Sequence, residues 1–222
     1  MASTSGQQSG QPPPHEERFK SNMESLTKVL YGYFQNLYSR NITKIQPNTI
    51  LIAQGVVEAY NPIAVLENYI EYSKDFWPKI AARDDSFMVE NCHEIFRDIP
   101  TSNPDELIRT FKTLYTSRII LDKSTNNEIV VTPDDPRYND GHNVLTDSEK
   151  DTIWRLFTAM TKISIKYIHD KREPIAKFKE VDGVTKTVRR YKTNAFPDVK
   201  NIVKLAKMFE IELLWKSPST SS

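Results

Sequence analysis

Two stretches of this 222-residue chain repeat apolar side chains at the α-helical period behind clear start signals, and they restrict the fold more than any other feature. In LTDSEKDTIWRLFTAMTKISIKYI, Thr146 and Glu149 stand at the spacing of a capping box, where each side chain satisfies a backbone donor of the other. Beyond it Ile153, Trp154, Phe157, Met160, Ile163, Ser164, Tyr167 and Ile168 share one broad helical face. In FWPKIAARDDSFMVENCHEIF, Pro78 removes a backbone donor, so a kink or a new helix starts near Trp77, which is thereby predicted to be less buried than Trp154. Asp84 or Asp85 then caps a helix that turns Phe87, Met88, Cys92, Ile95 and Phe96 inward. Faces of this kind need a common interior. The predicted fold is mainly α, an orthogonal multi-helix bundle with one or two short β-hairpins near 118–132 and 178–192.

The remaining segments fit that plan. Phe19, Met23, Leu26, Leu30, Tyr33 and Leu37 recur at intervals of three and four, a core-facing stripe in which Gly32 would allow a close helix crossing. Asn48-Thr49 opens a helix to Tyr60, and Asn61-Pro62 opens the next, through Ile63, Leu66, Tyr69 and Ile70. Asn103-Pro104-Asp105-Glu106 is another start signal, ahead of Leu107, Ile108, Phe111, Leu114 and Tyr115. RIILDKSTNNEIVV reads as two β-branched runs around a polar turn, and TPDDPRYNDGHN as a loop. Asp182-Gly183 is the strongest short hairpin signal in the chain, and Pro197 is placed to open a last helix holding Val199, Ile202, Val203, Leu205, Ala206 and Phe209. The expected organisation is a disordered tail over 1–15, a helical domain over 16–170, a basic hairpin-plus-helix extension packed on it over 171–216, and a second tail over 217–222. Both tails lack the apolar side chains needed to offset ordering entropy.

Composition narrows the setting. Six glycines suit helices better than a barrel, and the single cysteine excludes an internal disulfide and fits a reducing, intracellular compartment. The N-terminus lacks the basic start and apolar core of a secretory signal, and no run of about 18 apolar residues offers a membrane span. Charge is unevenly placed. Residues 171–222 hold 12 Lys/Arg against 6 Asp/Glu, net +6, while the rest hold 18 against 23, net −5.

Chemistry is harder to find. Neither a phosphate-cradling G-x-G-x-x-G nor a Walker motif is present. Cys92 and His93 are neighbours with no second cysteine or properly spaced histidine, which argues against zinc and for Cys92 as an apolar core residue. His169 closes a helix, where the dipole favours a cation. Asp134, Asp135 and Asp140 lack the spacing of a calcium loop, and Asp84-Asp85 reads as a helix cap. No catalytic residue, cofactor or metal site is expected. The positive signal is the basic segment: Lys177, Lys179, Lys186, Arg189, Arg190, Tyr191 and Lys192 lie on or beside the second hairpin, with Phe178 and Tyr191 interleaved, and Lys200, Lys204 and Lys207 extend it onto the last helix. Cations among aromatics suit phosphate contact and base stacking; the same composition also protects edge strands.

The succession of Lys79, Ile80, Arg83, Asp84, Phe87 and Asn91, then Leu145, Glu149, Lys150, Ile153, Trp154, Phe157, Ile163 and Ser164, resembles small helical proteins encoded by large nucleocytoplasmic DNA viruses. The resemblance spans about residues 62–170. That family has no assigned activity; the resemblance implies a viral accessory or virion component in the host cytoplasm or the particle, while a complete helical core beside the absence of any recognisable site is what points to a non-enzymatic interaction or structural protein with a protein partner. The resemblance carries over no catalytic residues, and the basic segment lies outside it. Nucleic-acid binding through that segment is the alternative reading.

Overall fold

The computed structural model describes residues 13–43, 46–95, 104–181 and 184–214; at 49, 52, 53, 56, 95, 176–179, 181 and 184–190 the description is of the backbone. Both predicted tails, save 13–15, and Phe96, Asn103 and Asp182-Gly183 lie outside these residues. The protein is mainly helical with short β elements. Its axis is a pair of 25-residue helices, α1 (His15–Ser39) and α8 (Asp147–Lys171), packed on each other. α2 (Asn48–Ala59) and α3 (Pro62–Ser73) lean on α1. A 3-10 turn, Lys74–Phe76, leads into α4 (Trp77–Ala82), which packs on α8. α5 (Asp85–Glu90) and α6 (Cys92–Ile95) rest on α7 (Pro104–Thr116).

The start signals act as the sequence implies. Asn61 Oδ1 accepts from the Ile63 amide at 2.9 Å, and Asp84 Oδ1 from the Phe87 amide at 3.0 Å. The Thr146–Glu149 capping box is closed in both directions. Helix ends use left-handed residues other than glycine. Asn41, Arg83 and Glu210 have φ of 57°, 51° and 54°. Behind each, paired backbone bonds form the Schellman pattern, Ile42 N to Leu37 O and Ile211 N to Ala206 O among them.

The core joins Phe19, Phe34 and Leu37 of α1 to Leu66, Ile70, Trp77, Leu107, Phe111, Ile153, Met160 and Ile168. Trp77 corrects the expectation drawn from Pro78: it is fully buried. α4 begins at Trp77, so the proline occupies a first-turn position whose donor has no helical acceptor anyway. The Trp77 indole N–H donates to Ser73 Oγ at 2.9 Å, and that of Trp154 to Asp85 Oδ1 at 2.7 Å, so both rings bury without an orphaned donor. Phe87 and Phe157 are half-buried rather than central. The helix predicted through Cys92 breaks at Asn91, whose side-chain amide donates to the Phe87 carbonyl at 2.9 Å and competes with the ladder. Gly32 has open space where a Cβ would sit, so it serves no close crossing.

The first hairpin is β1 (Arg118–Asp122) with β2 (Asn127–Val131), in register from Arg118↔Val131 to Asp122↔Asn127. Its turn is Lys123–Asn126, with Asn126 left-handed and the Asp122 carboxylate accepting from the Ser124 amide at 3.0 Å. The segment predicted as loop returns a strand: β3 (His142–Asn143) pairs with β1 and makes the sheet three-stranded. Two paired residues leave no periodic trace in sequence. The contact depends on Gly141, where a Cβ would stand 2.8 Å from Ile120 Cγ2 and 2.9 Å from the Ile119 carbonyl oxygen.

The second hairpin, β4 (Pro174–Val181) with β5 (Val184–Tyr191), is longer than 178–192 and is followed by a short α9 (Ile202–Met208) rather than a helix from Pro197. Arg172 explains the difference. Its guanidinium is buried and donates to the carbonyls of Ala195 at 2.9 Å, Phe196 at 2.6 Å and Val199 at 2.7 Å. A helix beginning at Pro197 would need the Val199 carbonyl for itself. Arg172 thus holds 195–199 as a turn, closed by the Val199 amide on the Phe196 carbonyl at 3.0 Å, at the end of α8, where Val199, Ile202, Ala206 and Phe209 join the core.

Candidate nucleic-acid interface

The cations after Lys171 fall on three supports. Along the ribbon formed by β4 and β5 the pairing is antiparallel, with Ile175↔Arg190, Lys177↔Val188, Lys179↔Lys186 and Val181↔Val184 in register. Successive strand residues alternate between faces, and directly opposed residues share one. Lys177, Lys179, Lys186 and Arg190 therefore belong to one face, which contains no acidic position. Phe178, Glu180, Arg189 and Tyr191 belong to the other. The sequence grouped Arg189 and Phe178 with the lysines; the register separates them. It also sets Lys179 directly across from Lys186, a like-charge pairing that weakens a two-stranded ribbon. Among the described residues, the extensive backbone neighbour of each strand is the other strand.

The second support is the ribbon's root, which is pinned rather than free. Tyr191 is half-buried, its hydroxyl 2.6 Å from His169 Nε2 and its ring 4.6 Å from the imidazole. His169 Nδ1 lies 3.2 Å from Asp170 Oδ1, and the other Asp170 oxygen lies 2.8 Å from His15 Nε2 on α1. His169 lies in the last turn of α8, as the sequence placed it, and is a buried link between helix and ribbon. Lys192 forms an ion pair with Glu173 across the base of the ribbon, and its amide donates to the Glu173 carbonyl at 2.8 Å. Tyr191 and Lys192, predicted as contacts, are engaged in holding the root.

The third support is α9 with the loop before it. Lys204 and Lys207 are exposed, one helical turn apart. Lys200 does not continue their row, because Asn201, at φ 54°, reverses the backbone between it and the helix. Lys200 instead lines a cleft of about 210 Å³ with Lys74, Asp75, Pro78, Asp198, Val199 and Leu205. Ordinary small-molecule sites run to roughly 300–1,000 Å³.

The side chains considered for chemistry have structural engagements. Cys92 is fully buried, and burial pushes its thiol up from the ordinary value, away from the reactive thiolate. The Asp84 carboxyl is held below its usual range by the Phe87 amide and by Lys79. Asp135 is held at about 2 by Arg137, through both its side chain and its amide. Among the described residues no group of three or more His, Cys, Asp or Glu is arranged to hold a metal ion, and no helix is long and apolar enough to cross a membrane. Sequence reading missed Arg172, His15 and Asp170. Arg172 finds its acceptors 23 to 27 residues away and His15 its partner 155 residues away, with no local pattern to announce either.

Comparison of the chain with protein-family models, with curated proteins and with solved structures finds no match.

Proposed function

We propose that the protein is a non-enzymatic interaction protein, a viral accessory or virion component working in the host cytoplasm or the particle, and that it holds nucleic acid on the face of the β4–β5 ribbon bearing Lys177, Lys179, Lys186 and Arg190. The viral assignment rests on the sequence resemblance over residues 62–170. The binding assignment rests on one observation: the register collects four cations on a single face and opposes two of them, Lys179 and Lys186. Directly opposed like charges cost the ribbon stability. Departures from local rules of this kind mark functional surfaces, and an anion seated on the face would relieve the repulsion. The net charge of +6 over residues 171–222, against −5 for the rest, points the same end of the molecule towards a polyanion. Fluorescence anisotropy with labelled mixed-sequence nucleic acid at low salt tests the reading: the full chain should bind, and binding should fall steeply as salt is added. No binding at 50 mM salt would remove it.

A further inference from the structure

We infer that the ribbon's ligand is B-form duplex DNA, entered through the major groove, an inference that rests on the nucleic-acid reading above and specifies its substrate. Two strands of eight residues, paired from Pro174↔Tyr191 to Val181↔Val184, make a narrow two-stranded ribbon about 27 Å long at roughly 3.4 Å per residue. Its two strands lie only about 4.8 Å apart. The major groove of B-DNA is about 12 Å wide and admits a two-stranded β-ribbon. The deep, narrow major groove of A-form RNA does not, and a single strand offers no groove. Single-strand binders rely instead on a platform of aromatic rings. Here the basic face, Ile175, Lys177, Lys179, Val181, Val184, Lys186, Val188 and Arg190, contains no aromatic residue. The ribbon's aromatics, Phe178 and Tyr191, fall on the opposite face, and Tyr191 is tied to His169.

The placement of charge agrees. On the groove-facing side Lys and Arg are the residues that reach the O6 and N7 acceptors of guanine and the flanking phosphates. A face with four cations and no acid suits that acceptor-rich floor. The root is fixed to the end of α8 by the His169–Tyr191 contact and by the Glu173–Lys192 pair, so the ribbon enters as a supported wedge and not as a loose arm.

Anisotropy titrations of the full chain against a 20-bp DNA duplex, the RNA duplex of the same sequence and one DNA strand decide the matter. The DNA duplex should bind at least tenfold tighter than either competitor, with a log–log salt slope near −3.6 for four phosphates neutralised at about 0.9 each. The Lys177/Lys179/Lys186/Arg190→Ala variant, checked for an unchanged circular dichroism spectrum, should lose at least 30-fold and most of that slope. Arg189→Ala, on the other face, should change affinity less than twofold. Equal affinity for the RNA duplex or the single strand, or an Arg189→Ala loss matching that of the fourfold variant, overturns the groove assignment and leaves nucleic-acid binding standing. Failure to bind any of the three overturns both.

Discussion

The two hairpins begin from similar sequence, short β-branched runs around polar turns, and end in opposite circumstances. β1–β2 buries Ile119, Ile120 and Val131, gains β3 along one edge, and is tied to α1 by the Arg40–Glu128 ion pair at 2.7 Å. β4–β5 has its partner in itself and its anchors at the root. Two-stranded ribbons are marginal in water on their own, and opposing Lys179 to Lys186 adds a like-charge pair to this one. Burial on one hairpin and cation placement on the other separate a sheet that supports the fold from the ribbon proposed to meet nucleic acid.

The largest expected effect tests the supporting role. Ile119→Ala in β1 removes a side chain only 1% exposed and should cost about 2–5 kcal/mol in urea unfolding, with an unchanged m-value. The fourfold alanine variant of the ribbon should leave the unfolding midpoint in place; a comparable loss there would erase the contrast. Next comes Gly141→Ala, which drives a methyl into the Ile119 carbonyl and the side chain of Ile120. It should cost about 1–3 kcal/mol, and the amide resonances of His142 and Asn143 should move with those of β1. A smaller effect belongs to the ribbon. Tyr191→Phe deletes the 2.6 Å contact with His169 and should cost on the order of 1 kcal/mol. Hydrogen exchange should accelerate over 174–191 and stay constant over 118–131; acceleration in both would mean that the hairpins are one cooperative unit.

The contrast also marks where sequence reading stops. Local rules located nearly every helix start, because caps and prolines act within four residues, as Asn61, Asp84 and Thr146 do. They located both hairpins for the same reason. They missed β3, since two residues carry no period, and they extended α9 to Pro197 because Arg172 withdraws three carbonyls from a distance. They underestimated Trp77 because the proline beside it begins a helix instead of interrupting one. For the candidate site, sequence supplied the cations but not their faces. Only the register, which runs from Pro174↔Tyr191 to Val181↔Val184, separates Lys177, Lys179, Lys186 and Arg190 from Arg189.

The smallest effect is an acid response confined to the first sheet. Asp135, at about 2, lies below the ordinary aspartate value near 4, because Arg137 Nη2 at 2.8 Å and the Arg137 amide at 2.8 Å favour the carboxylate. Asp122 is shifted in the same direction by the Ser124 amide and hydroxyl at the β1–β2 turn. A group whose folded value is depressed contributes stability that is complete above its unfolded value and is lost as pH falls through its folded one. The loops that set β1–β2 and bring β3 back to β1 should therefore loosen between about pH 4 and pH 2. Carboxyl-carbon NMR titration should place Asp135 near 2 in the native chain and return it towards 4 in Arg137→Ala. An Asp135 that titrates near 4 with Arg137 present would mean that the pair does not hold this loop in solution, and the first sheet would then owe its order to burial, Gly141, the Asp122 turn and the Arg40–Glu128 pair.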